Sequence, residues 1–65
     1  MAKARVIPDN KELTVDSGIS VEELLKAAGF NTESAVVLVN GSPVPEDYRV
    51  KEGDEIVIVR VLSGG

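Results

Sequence analysis

The chain has no cysteine, no histidine and no tryptophan among its 65 residues, and Phe30 and Tyr48 are its only aromatics. Each absence removes a class of chemistry. Without thiols or imidazoles there can be no disulfide staple, no zinc site of the usual Cys/His kind and no common haem ligand pair. Cys–His and Ser–His–Asp nucleophilic catalysis go with them. Basic charge is also scarce, since seven Lys and Arg against eleven Asp and Glu leave a net charge of −4. Neutralising a phosphate backbone takes clustered cations, so no direct nucleic-acid partner is expected. No apolar run approaches the roughly 20 residues of a membrane span, and Met1-Ala2-Lys3-Ala4-Arg5 does not read as a secretory leader. A cysteine-free chain fits a reducing compartment, and the expectation is a cytoplasmic, monomeric domain with no membrane partner.

What is present is aliphatic. Residues 1–65 allow a single domain that buries only about 60% of the surface its unfolded chain exposes. With no staple, that domain must hold by packing alone. The 43% hydrophobic content makes this feasible, and Val and Ile supply fifteen residues of it, which favours strands. Gly18, Gly29, Gly41 and Gly53 punctuate the chain at intervals of eleven or twelve residues without any internal repeat.

Periodicity divides the chain into short elements. Lys3–Ile7 and Lys11–Val15 alternate polar and apolar residues around a Pro8-Asp9-Asn10 turn, the pattern of a hairpin. Ser20 followed by Glu23 is a capping box, and Val21, Leu24, Leu25 and Ala28 then fall on one helical stripe. Gly29 is suited to end that helix, with Phe30 closing the cap. Residues 35–39 form a β-branched run that leads into Asn40-Gly41, the strongest short hairpin signal. Pro43 and Pro45 limit the return strand to a short edge piece. Glu46–Val50 is compatible with a helical turn burying Tyr48 and Val50. Glu55–Leu62 is the longest strand candidate and is apolar at consecutive positions, as expected of a central strand. The order β, β, α, β, short β, β describes an α+β fold with a mixed sheet of four to five strands on one main helix.

Candidate sites are few. The acidic pairs Glu22-Glu23, Glu46-Asp47 and Asp54-Glu55 are explained by helix capping and by solvated loops, and they match no calcium-loop spacing. The serines have no histidine base. No catalytic residue and no metal site are expected, and the chain is not expected to be an enzyme or to bind a cofactor. Two features remain. One is Gly64-Gly65, which follows the most hydrophobic strand. Extended, residues 62–65 reach about 13 Å past the domain, and a tail without side chains can enter a narrow active site. Its functional group would be the carboxylate of Gly65, ionised at neutral pH and reactive only after activation. The alternative is an ordinary frayed, glycine-rich end.

The other feature is an apolar excess. If Ile56 and Ile58 face the helix, then Val57, Val59 and Val61 turn outward, and Val36 and Leu38 do so in the neighbouring strand. A patch of that kind on a small protein marks a partner surface, unless a loop or a second copy covers it.

The hairpin-then-helix order, with Val39-Asn40-Gly41, Val44-Pro45, Gly53-Asp54-Glu55-Ile56 and Gly64-Gly65, resembles the ubiquitin-like sulfur carriers over essentially the whole chain. Length and pattern look closest to the thiamine-biosynthesis carrier ThiS and to small archaeal ubiquitin-like modifiers; the molybdopterin synthase subunit MoaD is similar but usually longer. The resemblance implies a β-grasp fold with 62–65 as a flexible tail. It further implies that an ATP-dependent activating enzyme adenylates Gly65, with Gly64 keeping the carboxyl open. A sulfur donor would then convert it to a thiocarboxylate for an acceptor such as thiazole synthase, molybdopterin synthase or a tRNA thiolase. ATP belongs to the activating enzyme, and the valine-rich face would dock that enzyme. Two other roles stay open: a protein modifier joined through Gly65 to lysines, and a non-covalent adaptor. Arg60-Val61-Leu62-Ser63 is less basic than the approach to the diglycine of ubiquitin, which speaks against recognition by eukaryotic ubiquitin enzymes.

Overall fold

Alternation in the first strand decides where the core lies. In the structure, a computed structural model that describes residues 1–30 and 33–61, β1 (Ala2–Ile7) buries Ala2, Ala4 and Val6 and exposes Lys3, Arg5 and Ile7. It pairs antiparallel with β2 (Lys11–Val15) through the expected turn, where Asn10 takes a positive φ. The helix α1 (Val21–Ala27) follows. After it come β3 (Ala35–Val39), the two-residue β4 (Ser42–Pro43) and β5 (Glu55–Arg60). The five strands form one mixed sheet in the order β2-β1-β5-β3-β4, with β1 and β5 parallel and the other pairs antiparallel. This is the β-grasp arrangement, and β5 is the central strand as expected.

The core sits between α1 and one face of the sheet. Val21, Leu24 and Leu25 meet Ala2, Ala4, Val6, Val37, Val39, Ile56 and Ile58, and Leu24 and Ile58 are wholly excluded from solvent. Full burial of an aliphatic side chain contributes about 1.5–3 kcal/mol.

Both helix ends are capped. Ser20 Oγ accepts from the Glu23 N–H at 3.2 Å while the Glu23 carboxylate accepts from the Ser20 N–H, which is the expected capping box. At the other end Gly29 (φ +88°) carries the left-handed residue of a Schellman motif, with the Phe30 N–H donating to Leu25 and the Gly29 N–H to Lys26.

Two expectations are corrected. Residues 46–50 begin with a single hydrogen-bonded turn, the Tyr48 N–H donating to the Pro45 carbonyl at 3.1 Å, and do not continue as a helix. They run alongside the start of α1, where the Tyr48 carbonyl accepts from the Val21 N–H (2.9 Å) and the Glu46 carbonyl from the Glu22 N–H (3.0 Å). An α-helix leaves its first N–H groups without partners, and here this segment takes up two of them. Val50 is buried and Tyr48 half-buried, as expected. The second correction concerns β5, which ends at Arg60 rather than Leu62. One further hydrogen bond, from the Val61 N–H to the Ser34 carbonyl at 2.9 Å, follows the strand. Leu62–Gly65, the tail of the sequence reading, lie outside the described residues. Among the described residues no helix is long and apolar enough to cross a membrane.

Candidate functional site

Helix α1 covers one face of the sheet, and the period of two sends every second residue to the other face. Strand register then sets which outward side chains are neighbours. Val59 lies between Ile7 of β1 and Val36 of β3, and Val57 lies between Arg5 and Leu38, with Pro43 beyond Leu38. The structure therefore brings Val36, Leu38, Val57 and Val59 onto one surface. Val36 is 45% exposed, while Leu38, Val57 and Val59 are half-buried by one another. Val61 lies one residue past β5 and is exposed. Ile7, 37% exposed, belongs to the same surface and was not singled out in the sequence. The signal for it was present in the Lys3, Arg5, Ile7 alternation, which assigns it the outward face once β1 is paired with β5.

One side of this apolar surface is charged. Lys3 stands beside Glu55 in the register, and Arg5 approaches Glu12 at 3.9 Å with both side chains largely in water. An exposed pair of that kind contributes little to stability. The chain leaves the sheet at the opposite, apolar end. There the Arg60 guanidinium lies 5.3 Å from the Phe30 ring centre and 3.1 Å from the Asp9 carboxylate. These contacts tie the end of β5 to the residue that closes α1 and to the β1–β2 turn. Gly64 and Gly65, the expected activation site, lie outside the described residues.

The acidic pairs divide. Glu23 caps the helix and Glu22 pairs with Lys26 at 3.5 Å, so both serve α1 as expected. Asp54 does not solvate a loop. It is buried, and its carboxylate accepts from the Tyr48 hydroxyl (2.8 Å), the Lys51 N–H (2.9 Å) and the Asn40 side-chain amide (3.2 Å). Asn40 in turn accepts from the Glu55 N–H at 3.1 Å through its own side-chain oxygen. The Lys51 N–H, then the Tyr48 hydroxyl, hold the Asp54 pKa below its ordinary 3.8, with burial opposing them and the Asn40 amide adding to them. The same bond to Asp54, with burial, raises the Tyr48 pKa. A carboxylate with three donors and a lowered pKa is a poor proton acceptor, so Asp54 is a structural clasp and not a general base. It ties the loop 48–54 to the β3–β4 turn. Only the Asp54 to Lys51 spacing, three residues across a glycine turn, hints at this in the sequence.

Among the described residues no group of acidic side chains is placed to hold a metal ion, and no buried side-chain nitrogen or oxygen lacks a hydrogen-bond partner. The described body of the chain thus presents an apolar sheet surface as its candidate site.

Comparison with known proteins shows the family. Residues 3–62 match the family model of small archaeal modifier protein 2. A protein named small archaeal modifier protein 2 from Haloferax volcanii is 35% identical over 57 residues, covering 88% of this chain and 85% of that protein. An uncharacterised protein of Archaeoglobus fulgidus is 45% identical over 58 residues, with the same shares covered. The crystal structure of SAMP1 from Haloferax volcanii superposes with a TM-score of 0.65 over 98% of both chains at 20% identity, a likeness of fold. The chain belongs to the ubiquitin-like small archaeal modifier protein 2 family.

Proposed function

We propose that this chain is a carrier of an activated acyl group, adenylated at Gly65 by an ATP-dependent enzyme and passed on as a protein modifier. Gly65 carboxylate oxygen would attack the α-phosphorus of ATP, pyrophosphate would leave, and the acyl adenylate would form. A lysine amine on an acceptor would then displace AMP and close an isopeptide bond. The observation that carries this reading is the family match over residues 3–62 on a chain that continues to Gly64-Gly65. The word "modifier" in the name of the Haloferax volcanii relative favours transfer to amines. The absence of any thiol or imidazole agrees with a substrate role rather than an enzymatic one.

A second reading rests on the resemblance of the sequence motifs to the sulfur carriers. A persulfide in place of the amine would displace AMP and leave a thiocarboxylate on Gly65 for sulfur transfer. In both readings the outward face of Val36, Leu38, Val57 and Val59 docks the activating enzyme, with Val61 at its margin. The cell compartment in either case is the cytoplasm, where ATP and a reducing environment are at hand.

Intact mass spectrometry tests both readings. Incubation with the cognate activating enzyme and ATP is expected to give an AMP adduct on Gly65. Added lysine-bearing acceptor is expected to give a diglycine-linked product, and added sulfur donor an oxygen-to-sulfur mass shift. A chain that forms no adduct, or that functions equally well without Gly64 and Gly65, would leave only the non-covalent adaptor role.

A further inference from the structure

We propose that Asn40 is a site of spontaneous hydrolytic modification, held in check by the Asp54 clasp and converted when that turn opens. The proposal is independent of what happens at Gly65. In an Asn-Gly pair the following peptide nitrogen is unhindered, and it can attack the asparagine side-chain carbonyl. Here the Gly41 nitrogen would form a bond to Asn40 Cγ and give up its proton as the Cγ–Nδ2 bond breaks, releasing ammonia. Solvent water then opens the five-membered imide at either carbonyl, leaving aspartate or isoaspartate. The net change is water in and ammonia out, with no oxidation or reduction.

Sterically the site is open, since Asn40 and Gly41 are exposed and a Cβ added to Gly41 would meet nothing within 4 Å. What restrains it is hydrogen bonding. The Asn40 amide nitrogen donates to Asp54 at 3.2 Å and its oxygen accepts from the Glu55 N–H at 3.1 Å. The Asn40 backbone N–H is held by the Glu55 carbonyl at 2.8 Å. Both side-chain bonds must break before Cγ can reach the Gly41 nitrogen, so reaction is confined to locally opened states.

The product cannot restore the clasp. An aspartate at position 40 has no donor for Asp54 and sets a second carboxylate beside a buried one, which costs stability because like charges at hydrogen-bond distance repel. Isoaspartate adds a methylene to the backbone inside a two-residue turn whose residues take φ +51° and +86°, and the β3–β4 register depends on that turn. Modified copies would therefore have a loosened 48–54 loop, whose Tyr48 carbonyl also holds the Val21 N–H at the start of α1.

Peptide mapping at residues 40–41 tests the proposal. Conversion is expected to be about tenfold or more slower in the folded chain than in guanidinium at the same pH and temperature. Asp54→Ala, kept folded, is expected to convert faster than the parent; should it fail to fold, Tyr48→Phe removes one bond of the clasp and is read in its place. Asn40→Asp is expected to melt several degrees below Asn40→Gly, which loses the amide without gaining a charge. Equal conversion in folded and unfolded chains, or an Asn40→Asp variant as stable as Asn40→Gly, would overturn it.

Discussion

Single residues explain why this chain can do without staples. Leu24 and Ile58 are wholly buried at the centre of the core, and Leu24→Ala is expected to lower the unfolding free energy by about 2–5 kcal/mol, read from a denaturant titration. In a domain this small such a loss is a large share of the total. Asp54 contributes differently. Its folded pKa is lowered by the Lys51 N–H and the Tyr48 hydroxyl, so the unfolded chain takes up its proton first as the pH falls. The clasp's contribution is complete above the ordinary value of 3.8 and disappears as the pH falls below it through the lowered folded value. Thermal melts are expected to show a lower Tm for Asp54→Ala at neutral pH, and the gap to the parent is expected to close in acid. The contrast between Asn40 and Asp54 shows what a sequence reveals. The positive φ of Asn40 and Gly41 follows from the dipeptide itself, a local rule. The side chains that hold Asp54 lie 6 and 14 residues away, and no spacing rule links them.

At the scale of elements, the helix was legible because its start and stop signals are chemical and local. Ser20, Glu23 and Gly29 do in the structure what their types imply. Ser20→Ala is expected to cost about 1 kcal/mol, measurable as a shift of the denaturant midpoint. For residues 46–50 the turn at Pro45–Tyr48 was legible, and the course of the chain after it was not. Tertiary bonding to the first N–H groups of α1 decides their path, and that partner lies more than 20 residues upstream. The strand faces were legible from alternation, and the register adds Ile7 to the apolar row. Val59→Asp changes an outward, half-buried side chain. It is expected to weaken binding to the activating enzyme about tenfold or more, as loss of an interface anchor does, while circular dichroism and Tm stay near the parent. A collapse of Tm would show that this side chain supports the core.

For the whole molecule the absences and the architecture point the same way. The described body holds one packed core, one uncovered apolar sheet face and a β5 end tied down by Phe30 and Asp9 through Arg60. The proposed function asks no thiol or imidazole of the chain, only the carboxylate of Gly65. Under the proposed function, the body of the chain is a handle that an activating enzyme grips by the apolar sheet face while it works on Gly65. The fold was legible in 65 residues because a core this small leaves few ways to cover one amphipathic helix. The choice among acceptors was not, since it is made by surfaces of other proteins. The most direct measurement is the intact mass of this chain after incubation with its activating enzyme and ATP. The expected result is an AMP adduct that maps to Gly65 and is absent when Gly64 and Gly65 are deleted. An unmodified mass with an enzyme shown to be active, or an adduct that survives the deletion, would contradict it.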